Sequence, residues 1–251
     1  MSKKTCLFCQ NPANSLEHLW PDWIIKSVGK YGPIRQNLKG KPKKTFTGAL
    51  KVRCVCVECN GGWMSNLETT VRPCLEPMIH DKATSLSLNQ QEGISRWSVK
   101  MAIVSEATKP KSIPHFYRKE DCENFKLKGE IPEHTRVWLG RSSQSGFAAT
   151  GTEVWFDESE VSKAGHGCVT TVVVGYLIIQ VITVRLSAET IAENLRLVCK
   201  SGAWNELLLS IRPPSNPAKW PPALTLTNDA GPNSLLRLIE RWKFGTEIQH
   251  V

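Results

Sequence analysis

Cys6-Leu7-Phe8-Cys9 and Cys56-Val57-Glu58-Cys59-Asn60 are the stretches on which the fold turns, with Glu17-His18-Leu19-Trp20-Pro21 between them. Two Cys-x-x-Cys hooks supply four thiolates, the donor set of a closed tetrahedral Zn²⁺ site that leaves no position for a reactant and is therefore structural. Such a site ties residues 6–9 to residues 56–59 and lets a small module fold that could not bury enough apolar surface by itself. Cys74, Cys122, Cys168 and Cys199 lack that spacing. Cys54, just before the second hook, is the weaker alternative ligand. Nine cysteines are an odd number and too sparse for a disulfide scaffold. No apolar stretch precedes Glu17-His18, which predicts no secretory signal, a cytoplasmic location and reduced thiols.

The charge is concentrated around the same hooks. The 251-residue chain has a formal charge of +9, and its first 60 residues hold 11 basic against 3 acidic side chains. The remaining 191 residues are close to neutral. A basic front on a near-neutral body predicts a polyanionic partner, nucleic acid first among them, although a solvated lysine-rich surface gives the same count. Hydrophobic and charged fractions of 41% and 22% exclude a disordered, collagen-like or coiled-coil chain.

Outward from the hooks, the pattern predicts an α+β protein in two parts. Residues 1–80 form the zinc module, and residues 81–251 a mixed, strand-rich α+β domain. A polar connector is expected over 81–91, then a helix over 92–107 with Ile94, Trp97, Met101 and Val104 on one face. Beyond residue 112 the signals are those of strands: Thr135–Leu139, a turn-rich loop Gly140–Gly146, and Gly151–Phe156. The uncharged run Cys168–Val184 is too short and too rich in Thr for a membrane span, and Gly175 at its middle suits a hairpin of two buried strands. A helix capped by Ser187 and a last helix from Ser234 complete the expectation, with proline-rich loop or edge strand around residues 213–222. Trp20, Trp23 and Trp63 are expected in the module's core and Trp97 in the body's, rather than as base-stacking platforms. No Gly-rich phosphate loop and no Gly-x-Ser-x-Gly elbow is present, which sets aside nucleotide-binding and serine-hydrolase chemistry.

Inside the zinc frame lie an acid–histidine pair and an amide directly after the last cysteine. An imidazole can take a proton from water near neutral pH, and the carboxylate and amide oxygens can bind a hard ion such as Mg²⁺ or Mn²⁺. That combination suits metal-assisted phosphodiester hydrolysis.

Cys6/Cys9, Glu17-His18 with Pro21, Cys56/Cys59 with Asn60, and the following Trp63-Met64-Ser65-Asn66-Leu67-Glu68 together resemble the HNH endonuclease family in its Asn-ending branch with a four-cysteine zinc site. The resemblance covers residues 6–70 and implies a ββα-metal fold there. It implies His18 as general base, Glu17 and Asn60 as ligands of one catalytic Mg²⁺ or Mn²⁺, and a zinc at Cys6, Cys9, Cys56 and Cys59 that is structural only. It further implies DNA as substrate, with RNA the alternative, and a role in bacterial defence or on a mobile element. Lys51 stands where family members often carry an Asn that orients the histidine, so either another group fixes His18 or activity is reduced. Lys39, Lys41, Lys43 and Lys44, in the spacer between hooks, are the expected phosphate contacts. Symmetric double-strand cleavage would call for a homodimer, although no heptad seam marks one. The competing expectations are a zinc-stabilised nucleic-acid-binding module without catalysis and a zinc-bearing protein-interaction domain.

Overall fold

The computed structural model of the chain describes residues 4–29, 34–38, 41–45, 51–109, 114–155, 166–185 and 206–226. It is an α+β protein, and its first elements surround the hooks. Strand β1 (Ser15–His18) pairs antiparallel with β4 (Lys51–Val55), and between them in sequence lie helix α1 (Asp22–Val28) and the hairpin strands β2 (Ile34–Leu38) and β3 (Lys41–Thr45). After β4 the chain turns through the short helix α2 (Val57–Cys59) and a wide turn at Asn60–Met64 into helix α3 (Ser65–Ile79). The wide turn owes its shape to Gly62, whose φ of −97° and ψ of −111° break the helical path. In α3, Val71, Cys74, Leu75, Met78 and Ile79 recur at helical spacing and form the buried stripe.

The second half is built on helix α4 (Leu88–Glu106), with strand β5 (Thr84–Leu86) just before it. The helix begins earlier than the apolar periodicity predicts. Ser87 and Gln90 form a reciprocal capping box, with Ser87 N–H donating to Gln90 Oε1 at 2.8 Å and Gln90 N–H to Ser87 Oγ at 3.3 Å. The stretch expected as a connector over 81–91 is therefore a strand and a helix start. A second correction is helix α5 (Lys119–Lys128), in a region expected to hold strands; it buries Cys122 and Phe125 and stops at Gly129, whose φ is +71°.

Two long strands dominate the sheet. β6 (Thr135–Trp155) pairs with β7 (His166–Arg185) along most of its length and with β8 (Leu208–Arg212) on its other edge; β9 (Ala218–Trp220) pairs with β5. Residues 140–146, expected as a loop, are an irregularity within β6, where the register shifts between Arg141 and Gly146. Gly175 likewise sits inside one strand and is not a hairpin turn. It faces Gly146 across the ladder with φ +58°, and a Cβ there would lie 2.2 Å from the carbonyl oxygen of Ile79 at the end of α3. The glycine serves a close approach of helix to strand rather than a reversal of the chain.

Buried side chains from Cys6 in the N-terminal part, the head, to Trp220 in the remainder, the body, form one contiguous core. Trp20 and Trp97 are in it, and Trp23 and Trp63 pack against it, as expected for structural tryptophans. Among the described residues no helix is long and apolar enough to cross a membrane. The helices expected from Ser187 and Ser234, and Lys39, lie outside the described residues.

Candidate metal centre and active site

The two hooks meet. The sulfurs of Cys6, Cys9, Cys56 and Cys59 all lie within 4.8 Å of one another, with Cys9 Sγ 3.6 Å from Cys56 Sγ and 3.7 Å from Cys59 Sγ. Sulfur atoms bonded tetrahedrally to one zinc are about 3.8 Å apart, so the four thiols are spaced to close on one ion. Each hook also turns a backbone N–H onto its first sulfur: Phe8 N–H to Cys6 Sγ and Cys59 N–H to Cys56 Sγ, both at 3.4 Å. These bonds fix where the sulfurs point. Cys54 is outside the cluster. It is buried among core side chains, and burial pushes its thiol up to about 12.

Beside this centre is a cleft of about 410 Å³ lined in part by Ser15, Glu17, His18, Asn60, Ser65 and Glu68. Glu17 and His18 come from the end of β1 and Asn60 from the start of the wide turn, so the β1–β4 pair and the entry to α3 bring the three expected residues together. Neighbouring strand residues ordinarily face opposite ways. Here the register of β1 against β4 shifts between Ser15 and Glu17 and the strand ends at His18, so both side chains reach the cleft. Asn60 Nδ2 donates to Ser15 Oγ at 2.9 Å and to the Leu16 carbonyl at 3.4 Å, which leaves the amide oxygen as its acceptor.

Three further residues shape this cleft, Asp22 and Lys100 outside every motif and Glu68 at the end of the helix entry already quoted. Asp22, the first residue of α1, brings a carboxylate oxygen to 3.3 Å from His18 Nε2. Asp22 is the side-chain contact of the imidazole among the described residues. Its side chain is 66% exposed, so the contact orients His18 more than it stabilises the fold. The other two are Glu68 and Lys100. The Lys100 side chain has 0% exposure, and its Nζ lies 3.3 Å from Glu17 Oε1 and 2.8 Å from Glu68 Oε1. Burial raises the pKa of Glu17, Lys100 pulls it down, and the net direction is up. For Lys100 burial works against the charge, but Glu68 and Glu17 outweigh it and the ammonium is held protonated. The floor of the cleft is thus two carboxylates sharing one fixed cation.

A second depression of about 440 Å³ runs along α1 and α3 and shares Asp22 and Glu68 with the first. There Arg72 lies over the Trp23 ring at 5.5 Å and pairs with Glu76 at 3.0 Å. Of the expected phosphate contacts, Lys41, Lys43 and Lys44 are on β3, paired in register with Leu38, Gln36 and Arg35 of β2. Three further histidines have local partners: His80 bonds to Ser27 Oγ at 2.7 Å, His134 lies 3.8 Å from Glu133, and His166 packs on Phe116.

The donors left at the cleft suit a hard ion. Glu17 Oε2 and the Asn60 amide oxygen are oxygen donors, the class that Mg²⁺ and Mn²⁺ prefer, whereas the four sulfurs suit zinc. No protein-family model, no curated protein and no solved structure matches the chain.

Proposed function

We propose that the protein is a metal-dependent endonuclease of the HNH type that hydrolyses phosphodiester bonds in DNA. The observation that carries this reading is the convergence of Glu17, His18 and Asn60 on one cleft beside the four-cysteine cluster, from positions far apart in the chain. His18 accepts the proton of the attacking water. Asp22 receives the other side of the imidazole's hydrogen bonding and holds the ring as it gains charge. Glu17, fixed by Lys100 through one oxygen, keeps its second oxygen for a divalent ion, and Asn60 supplies an amide oxygen. When bound, that ion supplies Lewis-acid stabilisation of the charge that develops on the phosphate. The zinc at Cys6, Cys9, Cys56 and Cys59 holds the two ends of the module and takes no part in the chemistry. The lysines of β3 and the surrounding basic excess supply phosphate affinity without sequence preference.

One observation favours a second reading, a zinc-stabilised nucleic-acid-binding module without catalysis. Lys100 already neutralises part of the charge that would attract a divalent ion to Glu17. The two readings separate when wild type and His18→Ala are incubated with plasmid DNA in Mg²⁺ or Mn²⁺, with EDTA controls. Cleavage by wild type alone supports the nuclease. Cleavage by both removes His18 as the base, and cleavage by neither, with retained DNA binding, establishes the binding module.

A further inference from the structure

Helix α5 belongs to the body, yet it lies against the four-cysteine centre and meets it with two lysines on one face. Lys119 Nζ donates to three carbonyls of the first hook, those of Cys6 at 2.5 Å, Leu7 at 3.3 Å and Cys9 at 2.6 Å. The Leu7 carbonyl belongs to the same peptide group as the Phe8 N–H, which donates to Cys6 Sγ. The ammonium therefore pulls on one end of a peptide dipole whose other end faces a sulfur. Polarising a peptide in this way strengthens its N–H as a donor.

Two turns along α5, Lys126 sits beside the sulfurs themselves. Its ammonium is within hydrogen-bonding reach of the Cys59 sulfur and lies near Cys9 and Cys56. Phe125 packs on Phe8 at 6.3 Å and on Trp63 at 5.7 Å, which seats the helix on the hooks. Two acids stand nearby. Glu123 lies 3.7 Å from Lys119 and also takes a hydrogen bond from Gln10, and the exposed Glu58 stands near Cys56 and Lys126.

One Zn²⁺ with four thiolates carries a net charge of about −2. In a site with little solvent on its protein side, that charge is stabilised by positive groups around the ligands. We propose that Lys119 and Lys126 form a cationic brace for the four-cysteine metal centre, so that retention of zinc depends on a helix outside the cysteine-bearing segment. One lysine works through the backbone of the first hook and the other acts directly on the sulfurs. The brace rests on the reading of the four cysteines as a zinc site and is independent of whether the cleft cleaves DNA.

The test uses the full chain loaded with zinc and follows metal transfer to a chromophoric chelator. Lys119→Met/Lys126→Met should release zinc roughly 10-fold faster than wild type, with the single variants between, because groups that support metal ligands typically matter on that scale. Lys119→Arg/Lys126→Arg should stay near wild type, and Lys128→Met, on the exposed side of the helix near Glu130, should not change the rate. A double Met variant within about twofold of wild type overturns the brace, as does a double Arg variant that releases as fast as the Met one. Should the double Met variant fail to fold, the two singles carry the test under the same limit. Wild type purified without zinc, and unable to take it up, would overturn the zinc reading of the four cysteines itself and the brace with it.

Discussion

Replacing Lys100 by Met keeps the volume of the side chain and removes its charge from a place with no access to water. Glu17, 5% exposed, then loses its counter-ion, whereas Glu68 at 21% can recover hydration from the cleft. Breaking a buried ion pair by removing one partner costs about 3–5 kcal/mol, because the other charge is stranded. The sign of the pH dependence follows from Glu17. Its folded pKa is already raised by burial, and without Lys100 it rises further. A carboxyl with a raised folded pKa destabilises the fold above that pKa and ceases to do so as pH falls below the unfolded value. The deficit of Lys100→Met relative to wild type should therefore be largest near pH 7.5 and shrink toward pH 5. Lys100→Met/Glu17→Gln should recover much of the loss at pH 7.5, since replacing both partners leaves no stranded charge. Urea denaturation of the three proteins at both pH values measures this. A loss below about 1 kcal/mol at pH 7.5 would refute the argument, as would a deficit that does not change with pH or no recovery in the double variant.

Other outcomes follow from the same contacts. Asp22→Asn should lower plasmid cleavage by less than the roughly 10²-fold or greater loss expected of His18→Ala, because it frees the ring but keeps the base; equal losses would show that Asp22 does more than orient. Elemental analysis should find about one zinc per chain, and Cys56→Ala/Cys59→Ala should lose it. Circular dichroism of that variant should show the head unfolding, and a fold indifferent to zinc would contradict the role of the hooks. Gly175→Ala puts a methyl 2.2 Å from the Ile79 carbonyl at a φ of +58°, so it should destabilise by about 1–3 kcal/mol in urea, with cleavage per folded molecule unchanged.

What the sequence disclosed was what short-range spacing encodes. The hooks, the Glu17-His18 pair and Asn60 are recognisable because a metal knuckle and an acid–base pair need particular residues at fixed small separations. The apolar face of α4 was legible for the same reason. Helix α5 was missed: Cys122 and Phe125 lie at helical spacing ahead of Gly129, but its charged surface and the strand-rich neighbourhood pointed to strands. The unbroken β6 and β7 were not legible. Glycines at 146 and 175 look alike whether a chain reverses or a helix end presses on it, and only the position of Ile79 tells the two apart.

Lys100 shows why the electrostatics of the cleft needed coordinates. On a helical wheel it falls beside Trp97 and Met101, where a lysine reads as an edge residue whose stem covers apolar surface and whose head reaches water. Its partners lie far away in sequence, on β1 and α3, and no local pattern announces them. The same holds for Lys119 and Phe125, which reach the hooks from α5. The near-neutral body thus contributes few net charges but places several of them against the head: one ammonium under the cleft's carboxylates and two against the cysteine hooks. A basic head carrying its own chemistry would tolerate a change of body. Here burial works against the charge on Glu17, and a residue of α4 supplies the buried cation that opposes it. The head and body are on this account one electrostatic unit, and the cation in contact with the cleft's carboxylates is the buried Lys100 of the body rather than one of the basic excess in the first 60 residues.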